Sequence, residues 1–243
     1  MARRRFNFDH LPHLDLLPPA RRLWRGRYEN CALGTLEGAV LNVQRSGEDV
    51  PGWMIPQLYV EYLRSGDARQ MQRVIYHNAE DILSMVTLAA HILETFGDPL
   101  SETRSGMDCL RLALWHDDLG HAADADAAYR AALARMRGVP ADQKPVLYER
   151  YAAFLKASDR RDEALPLWKK WAASAPDNPE PCIELSKYYE WHARNIAEAL
   201  EWAGQALLCL SHWPKGWRRD EAWKEAQHRL ERLKRKQTTD EGR

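Results

Sequence analysis

The 243-residue chain balances 35 Lys and Arg against 35 Asp and Glu, so its overall charge points to no nucleic-acid partner. A hydrophobic share of 45% is enough for one large or two ordinary packed domains, and a charged share of 29% suits a soluble surface. Four cysteines, at 31, 109, 182 and 209, show no Cys-x-x-Cys or Cys/His spacing, which argues against a disulfide framework or a zinc site and suits a reducing cytoplasm.

Met1-Ala2-Arg3-Arg4-Arg5 is followed by no apolar stretch of leader length, so no secretory signal is expected, and no run reaches the length of a membrane span. The charge is unevenly placed. Residues 1–27 and residues 215–236 each carry a net +5, which leaves −10 on the remainder. Basic ends can touch phosphates, although a solvated terminal helix explains the second cluster equally well.

In chain order, residues 1–13 read as irregular, and the weak alternation of His13 to Leu17 reads as one short strand ended by Pro18-Pro19. Pro19 suits the first turn of a helix running through Trp24. Thr35 is placed to cap a short helix from Leu36 to Val43, and residues 45–52 read as a loop. Two helices follow, over about 55–65 and 68–96, split at Gly66-Asp67, and Gly97-Asp98-Pro99 stops the second. No parallel-sheet strands are legible here.

On the longer helix, Met71, Val74, Asn78, Asp81, Met85, Leu88 and Ile92 fall on one stripe at a 3.6-residue period. Asp81 thus takes a place where a buried apolar residue is normal, so it needs a partner or a metal. His77 lies one turn earlier on the same face. A structural His–Asp pair and a functional one are both compatible with that spacing.

The wording of this stretch is more specific than its spacing. Tyr76-His77-Asn78-Ala79-Glu80-Asp81-Ile82-Leu83-Ser84 resembles the third exonuclease motif of the YprB-like branch of DEDD 3′–5′ exonucleases. The likeness extends upstream through His13 to Leu17, Ala20 to Trp24, Cys31 to Glu37, Asp49 to Tyr59 and Tyr62 to Asp67. It implies a ribonuclease-H-like fold acting on nucleic acid with Mg2+ or Mn2+. It also implies that Asp81 is a metal ligand and that His77, with Tyr76 as a weaker candidate, orients the attacking water. Asp15 belongs to the pattern but is not one of its metal ligands, and reads as a strand-end or capping acid. Glu80 reads as a solvated helix acid.

Such a domain needs a mixed sheet with an Asp-x-Glu on its first strand. Phe8-Asp9 superficially matches the second motif but stands too close to Asp15 to house the intervening helix. The expectation is therefore the C-terminal portion of a ribonuclease-H-like α/β domain over residues 1–96, its sheet largely missing and its early acidic motifs lying before Met1. Alone, that piece is expected to be inactive.

After a linker over 97–106 the pattern changes. Gly120, Ala125, Tyr129 and Ala132 follow tetratricopeptide spacing, and Ala164, Trp168 and Pro176 repeat it with an offset of 39 residues, then Ala199, Ala203 and Ala206 with a further 35. Residues 107–236 are thus expected to form a tetratricopeptide-like α-solenoid, capped by a helix from Trp223 to Lys236 and followed by a disordered tail over 237–243. Trp168, Trp171 and Trp202 read as core. His116, His121, His192 and His212 show no ligand spacing. The second functional class is a non-enzymatic scaffold binding a protein partner through the repeats. No membrane partner is expected, and the expected location is cytoplasmic.

Overall fold

The computed structural model describes residues 12–45 and 50–241 and divides the chain into two compact units at Pro99 and Leu100. Phe8-Asp9, most of the basic N-terminal stretch and residues 46–49 of the expected loop lie outside the described residues. Among the described residues there is no strand, only an isolated bridge between Arg25 and Tyr28. No described helix is long and apolar enough to cross a membrane.

The first unit opens with α1 (Leu17–Trp24). The strand expected at His13 to Leu17 does not form. Asp15 Oδ1 accepts the Leu17 N–H at 2.9 Å, and Pro18 and Pro19 then preset helical φ angles, so the chain turns into a helix instead. Asp15 is accordingly a helix-leading acid. Next comes α2 (Leu33–Leu36), which widens into a π-turn over Glu37–Leu41. Thr35 does not cap it. The N-cap position falls on Ala32, and Asn30 Oδ1 holds the turn before it, accepting the Ala32 N–H at 2.9 Å and the Thr35 hydroxyl at 2.8 Å, while Thr35 itself sits inside the helix.

A 3-10 turn over Gly52–Met54 leads into α3 (Ile55–Ser65), which Gly66 ends in the left-handed region at φ 72°. The long α4 (Arg69–Gly97) follows. Among the described residues of this unit, Ala20, Leu23, Trp24, Leu36, Val50, Leu58, Leu88 and Ile92 are the buried apolar ones, with the Trp24 and His91 rings stacked at 6.0 Å.

The buried stripe of α4 is rotated from the one expected. Ser84 is buried and His77 half-buried where Met85 and Asn78 were expected, and those two are exposed. Glu80 is half-buried rather than solvated. Ile75, Ile82, Val86 and Leu93 form a second apolar stripe at 3.6-residue spacing, and all four are exposed, as are Tyr59, Val60 and Leu63 of α3.

The second unit is a succession of antiparallel hairpins. They are α5 (Gly106–Asp118) with α6 (Ala122–Ala134), α7 (Lys144–Ala157) with α8 (Arg161–Ser174), and α9 (Glu180–Trp191) with α10 (Ile196–Ser211). Consecutive hairpins pack on one another, and α11 (Trp217–Glu241) closes against α10. Ala125, Ala128, Ala132, Ala164, Ala199, Ala203 and Ala206 are all buried, which is what close helix approach requires. Trp168 and Trp171 are buried and Trp202 is partly so, packed against Cys182, Ala206 and Cys209. The tail expected from residue 237 continues α11 through Glu241, since neither Gly nor Pro interrupts the chain before Gly242.

The start of α5 is tightly specified. Ser105 and Asp108 form a reciprocal capping box. The Arg135 guanidinium reaches the carbonyls of Leu100, Ser101 and Arg104 at 2.8–3.0 Å. A Cβ on Gly106 would stand 2.2 Å from the Arg135 carbonyl oxygen and 2.9 Å from Val139 Cγ2. Gly106→Ala should therefore destabilise the second unit by about 2–4 kcal/mol, read as a lower midpoint in chemical denaturation followed by circular dichroism. An unchanged midpoint would mean that the contact relaxes freely. The exposed apolar faces of α3 and α4 lead to a second expectation. Limited proteolysis should cut residues 12–96 before residues 107–236, and equal resistance would count against it.

Candidate functional site

Four charged or polar side chains of the first unit converge on one cleft of about 610 Å3, lined also by Gly34, Gly38, Pro51 and Gly52. The π-turn is the local cause. It adds one residue to the helical register, a distortion often found at functional sites, and Asn42 ends it in the left-handed region at φ 57° while Val43 N–H bonds Glu37 O at 2.9 Å. Glu37 is thereby turned inward, with 2% of its surface exposed. The chain then doubles back so that Arg45, eight residues on, faces it.

Arg45 grips Glu37 with two parallel bonds, Nε to Oε2 at 2.8 Å and Nη2 to Oε1 at 2.5 Å. The same Nη2 also donates to Asp81 Oδ1. Its Nη1 lies 3.2 Å from His77 Nδ1. A guanidinium has no acceptor, so His77 Nδ1 must be the acceptor and the ring proton belongs on Nε2. That nitrogen faces Asp81 Oδ2 at 3.4 Å. His77 thus spans an arginine and a carboxylate, and the Arg45 contact favours the tautomer protonated at Nε2.

The two residues singled out from the sequence, His77 and Asp81, are brought together as their i, i+4 spacing on α4 requires. Tyr76 and Glu80, half-buried on α4, are not among the residues lining the cleft. Asp15 lies elsewhere in the unit, in a separate cavity with Leu14, Leu33 and Met85. Glu37 and Arg45 were missed. The available signal was an acid one residue past the apolar Leu36 in a short helix, which needs a partner if that helix packs.

Divalent-metal chemistry is what the resemblance implies at Asp81, and the donor set can be tested against it. Glu37, Asp81 and His77 are the available donors, and the place between the two carboxylates is filled by the Arg45 guanidinium. A hard cation would have to displace a doubly bonded arginine and leave that arginine's charge beside its own. As arranged, these residues do not fit a metal pair.

Comparisons with known proteins bear on the same region. The RNase_H superfamily model RNase_H_2 matches residues 1–93. The uncharacterized protein YprB of Bacillus subtilis (strain 168) is 29% identical over 214 residues, covering 84% of this chain and 51% of that protein. The chain thus spans about half the length of the curated relative it matches. No solved structure matches. Together these findings support a nuclease-like domain in the first part of the chain, and nucleases of that superfamily are typically metal-dependent.

The ion cluster has a direct energetic consequence. Removing one partner of a buried ion pair strands the other charge and costs about 3–5 kcal/mol, far more than an exposed pair contributes. Arg45→Met should lower the stability of the first unit by that order. Glu37→Gln in the Arg45→Met background should recover part of the loss, because the stranded charge goes with it. A double-mutant cycle in urea measures this, and additive losses would show that the two side chains are not coupled.

Proposed function

We propose that this protein is a ribonuclease-H-like, nucleic-acid-associated protein whose Glu37–Arg45–His77–Asp81 cluster occupies the position of a nuclease centre. In this reading Asp81 is the position that the exonuclease resemblance assigns to a metal ligand, and His77 is the water-orienting position. The observation that carries the reading is the convergence of His77 and Asp81 on one cleft, within the stretch that matches the RNase_H superfamily model. What these side chains do as arranged is hold one another. Arg45 is shared between both carboxylates, and His77 contacts Arg45 through Nδ1 and Asp81 through Nε2. With Arg45 lodged between Glu37 and Asp81, the expectation is that the chain by itself does not hydrolyse phosphodiesters.

The two apolar faces of α4 fit this reading. A helix apolar on opposite sides is built to be covered on both, as a helix packed between other elements is. A second reading, a helical scaffold of tetratricopeptide-like repeats over residues 107–236, is favoured by the stacked hairpins and by a groove of about 550 Å3 lined by Lys169, Pro176, Trp202, Leu208 and His212.

A labelled single-stranded oligonucleotide distinguishes the two. Anisotropy should show binding that weakens as salt rises, with no cleavage in Mg2+ or Mn2+. Cleavage by the native chain that is lost in Asp81→Asn would overturn the assignment of Arg45 as a blocking cation. Absence of binding to both DNA and RNA would sink the nucleic-acid reading and leave the scaffold.

A further inference from the structure

The first hairpin of the second unit contains a cluster that plays no part in the cleft. His116 sits in the last turn of α5, His121 opens α6, and Asp124 follows in the first turn of α6. A Schellman corner joins them. His121 N–H bonds His116 O at 2.9 Å and Gly120 N–H bonds Asp117 O at 2.9 Å, with Gly120 at φ +75°. The residues at the two ends of such a corner are brought into side-chain contact, usually an apolar one.

The next hairpin builds the same corner 39 residues on and fills it differently. There Arg160 N–H bonds Leu155 O at 2.8 Å, Asp159 N–H bonds Lys156 O at 3.2 Å, and Asp159 takes the left-handed conformation at φ 59°. Leu155, 1% exposed, supplies the apolar underside, and Arg160 pairs with Glu163 at 2.7 Å above it. With that same offset, His116 replaces Leu155, His121 replaces Arg160 and Asp124 replaces Glu163. Where the second corner holds an apolar contact and an ion pair shared with Asp126 and Arg130, the first brings three potential metal donors within 4.8 Å of one another. His116, 3% exposed, is buried where its counterpart is a leucine.

The donor geometry is that of a metal site. His116 Nδ1 lies 3.4 Å from His121 Nδ1 and 4.0 Å from Asp124 Oδ2, and the three ligand atoms all fall within 4.8 Å of one another. Tetrahedral zinc with bonds of about 2.0–2.1 Å holds its ligand atoms roughly 3.3–3.4 Å apart. The histidine pair already meets that spacing. Asp124 must swing closer to both imidazoles, and its side chain, 60% exposed, is not packed in place. Two imidazoles and a carboxylate select a borderline divalent ion over Mg2+ or Ca2+, and three protein ligands leave a fourth position for water.

We propose that His116, His121 and Asp124 bind one zinc-class divalent transition-metal ion at the α5–α6 corner. This site is independent of the nucleic-acid reading and lies wholly in the second unit. Without an ion, the same histidines make an imidazole–imidazole contact, so the test must separate the two states.

The full chain, freed of metal by chelation, is titrated with Zn2+ by calorimetry and with Co2+ by visible absorption. The expected result is one ion per chain, a tetrahedral-type Co2+ spectrum without thiolate charge transfer, no heat with Mg2+, and a rise in Tm with Zn2+. His116→Leu installs the residue found at Leu155, so it should fold while weakening Zn2+ binding about tenfold or more, and His121→Ala should do the same. Circular dichroism confirms that both variants fold. No binding by the native chain, binding unchanged in folded His116→Leu, or a Co2+ spectrum dominated by thiolate would each overturn the proposal.

Discussion

A single guanidinium organises the cleft of the first unit. Glu37 is almost wholly removed from water, and a buried carboxylate without a partner is untenable. Arg45 satisfies it with a two-pronged bond and, from the same head group, reaches Asp81 and His77 on α4. The segment after the π-turn is therefore tied to α4 by charge. One cation that cannot be deprotonated thus serves both carboxylates, and the imidazole lies between that cation and Asp81.

The second unit uses the same device at its far end. Glu190, with a fully buried side chain, is held by Arg229 at 3.3 Å, Arg232 at 2.5 Å and Lys236 at 2.6 Å, which ties α11 to α9. Between those points the packing is apolar and repetitive. Buried alanines let the helices close up, the Tyr129 and Tyr151 rings stack at 4.9 Å, and their hydroxyls are answered by Asp117 and Asp126. Burial pushes the Tyr151 hydroxyl up to about 12, with Asp126 adding to the shift, so it remains a proton donor throughout the physiological range. The first two hairpin corners repeat one backbone solution, and their side chains are free to differ. That freedom is what places three metal donors in one corner and a leucine with an ion pair in the next.

The long helix α4 carries the clearest tension between sequence and surroundings. One of its faces buries Ser84, Leu88 and Ile92, and the opposite one presents Ile75, Ile82, Val86 and Leu93 to solvent. Helix propensity and periodicity are satisfied by either face. Which stripe faced inward was decided by the packing of the unit, which buries Ser84 and leaves Met85 exposed.

Much of this was legible beforehand. The boundaries of α3 and α4, the stop at Gly97-Asp98-Pro99, the pairing of His77 with Asp81 and the alanine-lined hairpins follow from local rules: proline and glycine punctuation, i to i+4 geometry and small-residue spacing. The sequence alone thereby determined most of the helical elements, their order and the juxtaposition of His77 with Asp81. Other features depended on distant contacts. Asp15 could end a strand or lead a helix, and only the turn it makes with Leu17 decided between them. Glu37 and Arg45 lie 44 and 36 residues before Asp81, and no periodicity links them to it. His116 and His121 have no recognisable ligand spacing until a Schellman corner folds them face to face. Local chemistry determines which elements form. Which charges must share a space is decided only when the chain closes on itself, because a buried charge takes whatever partner the tertiary fold brings within reach.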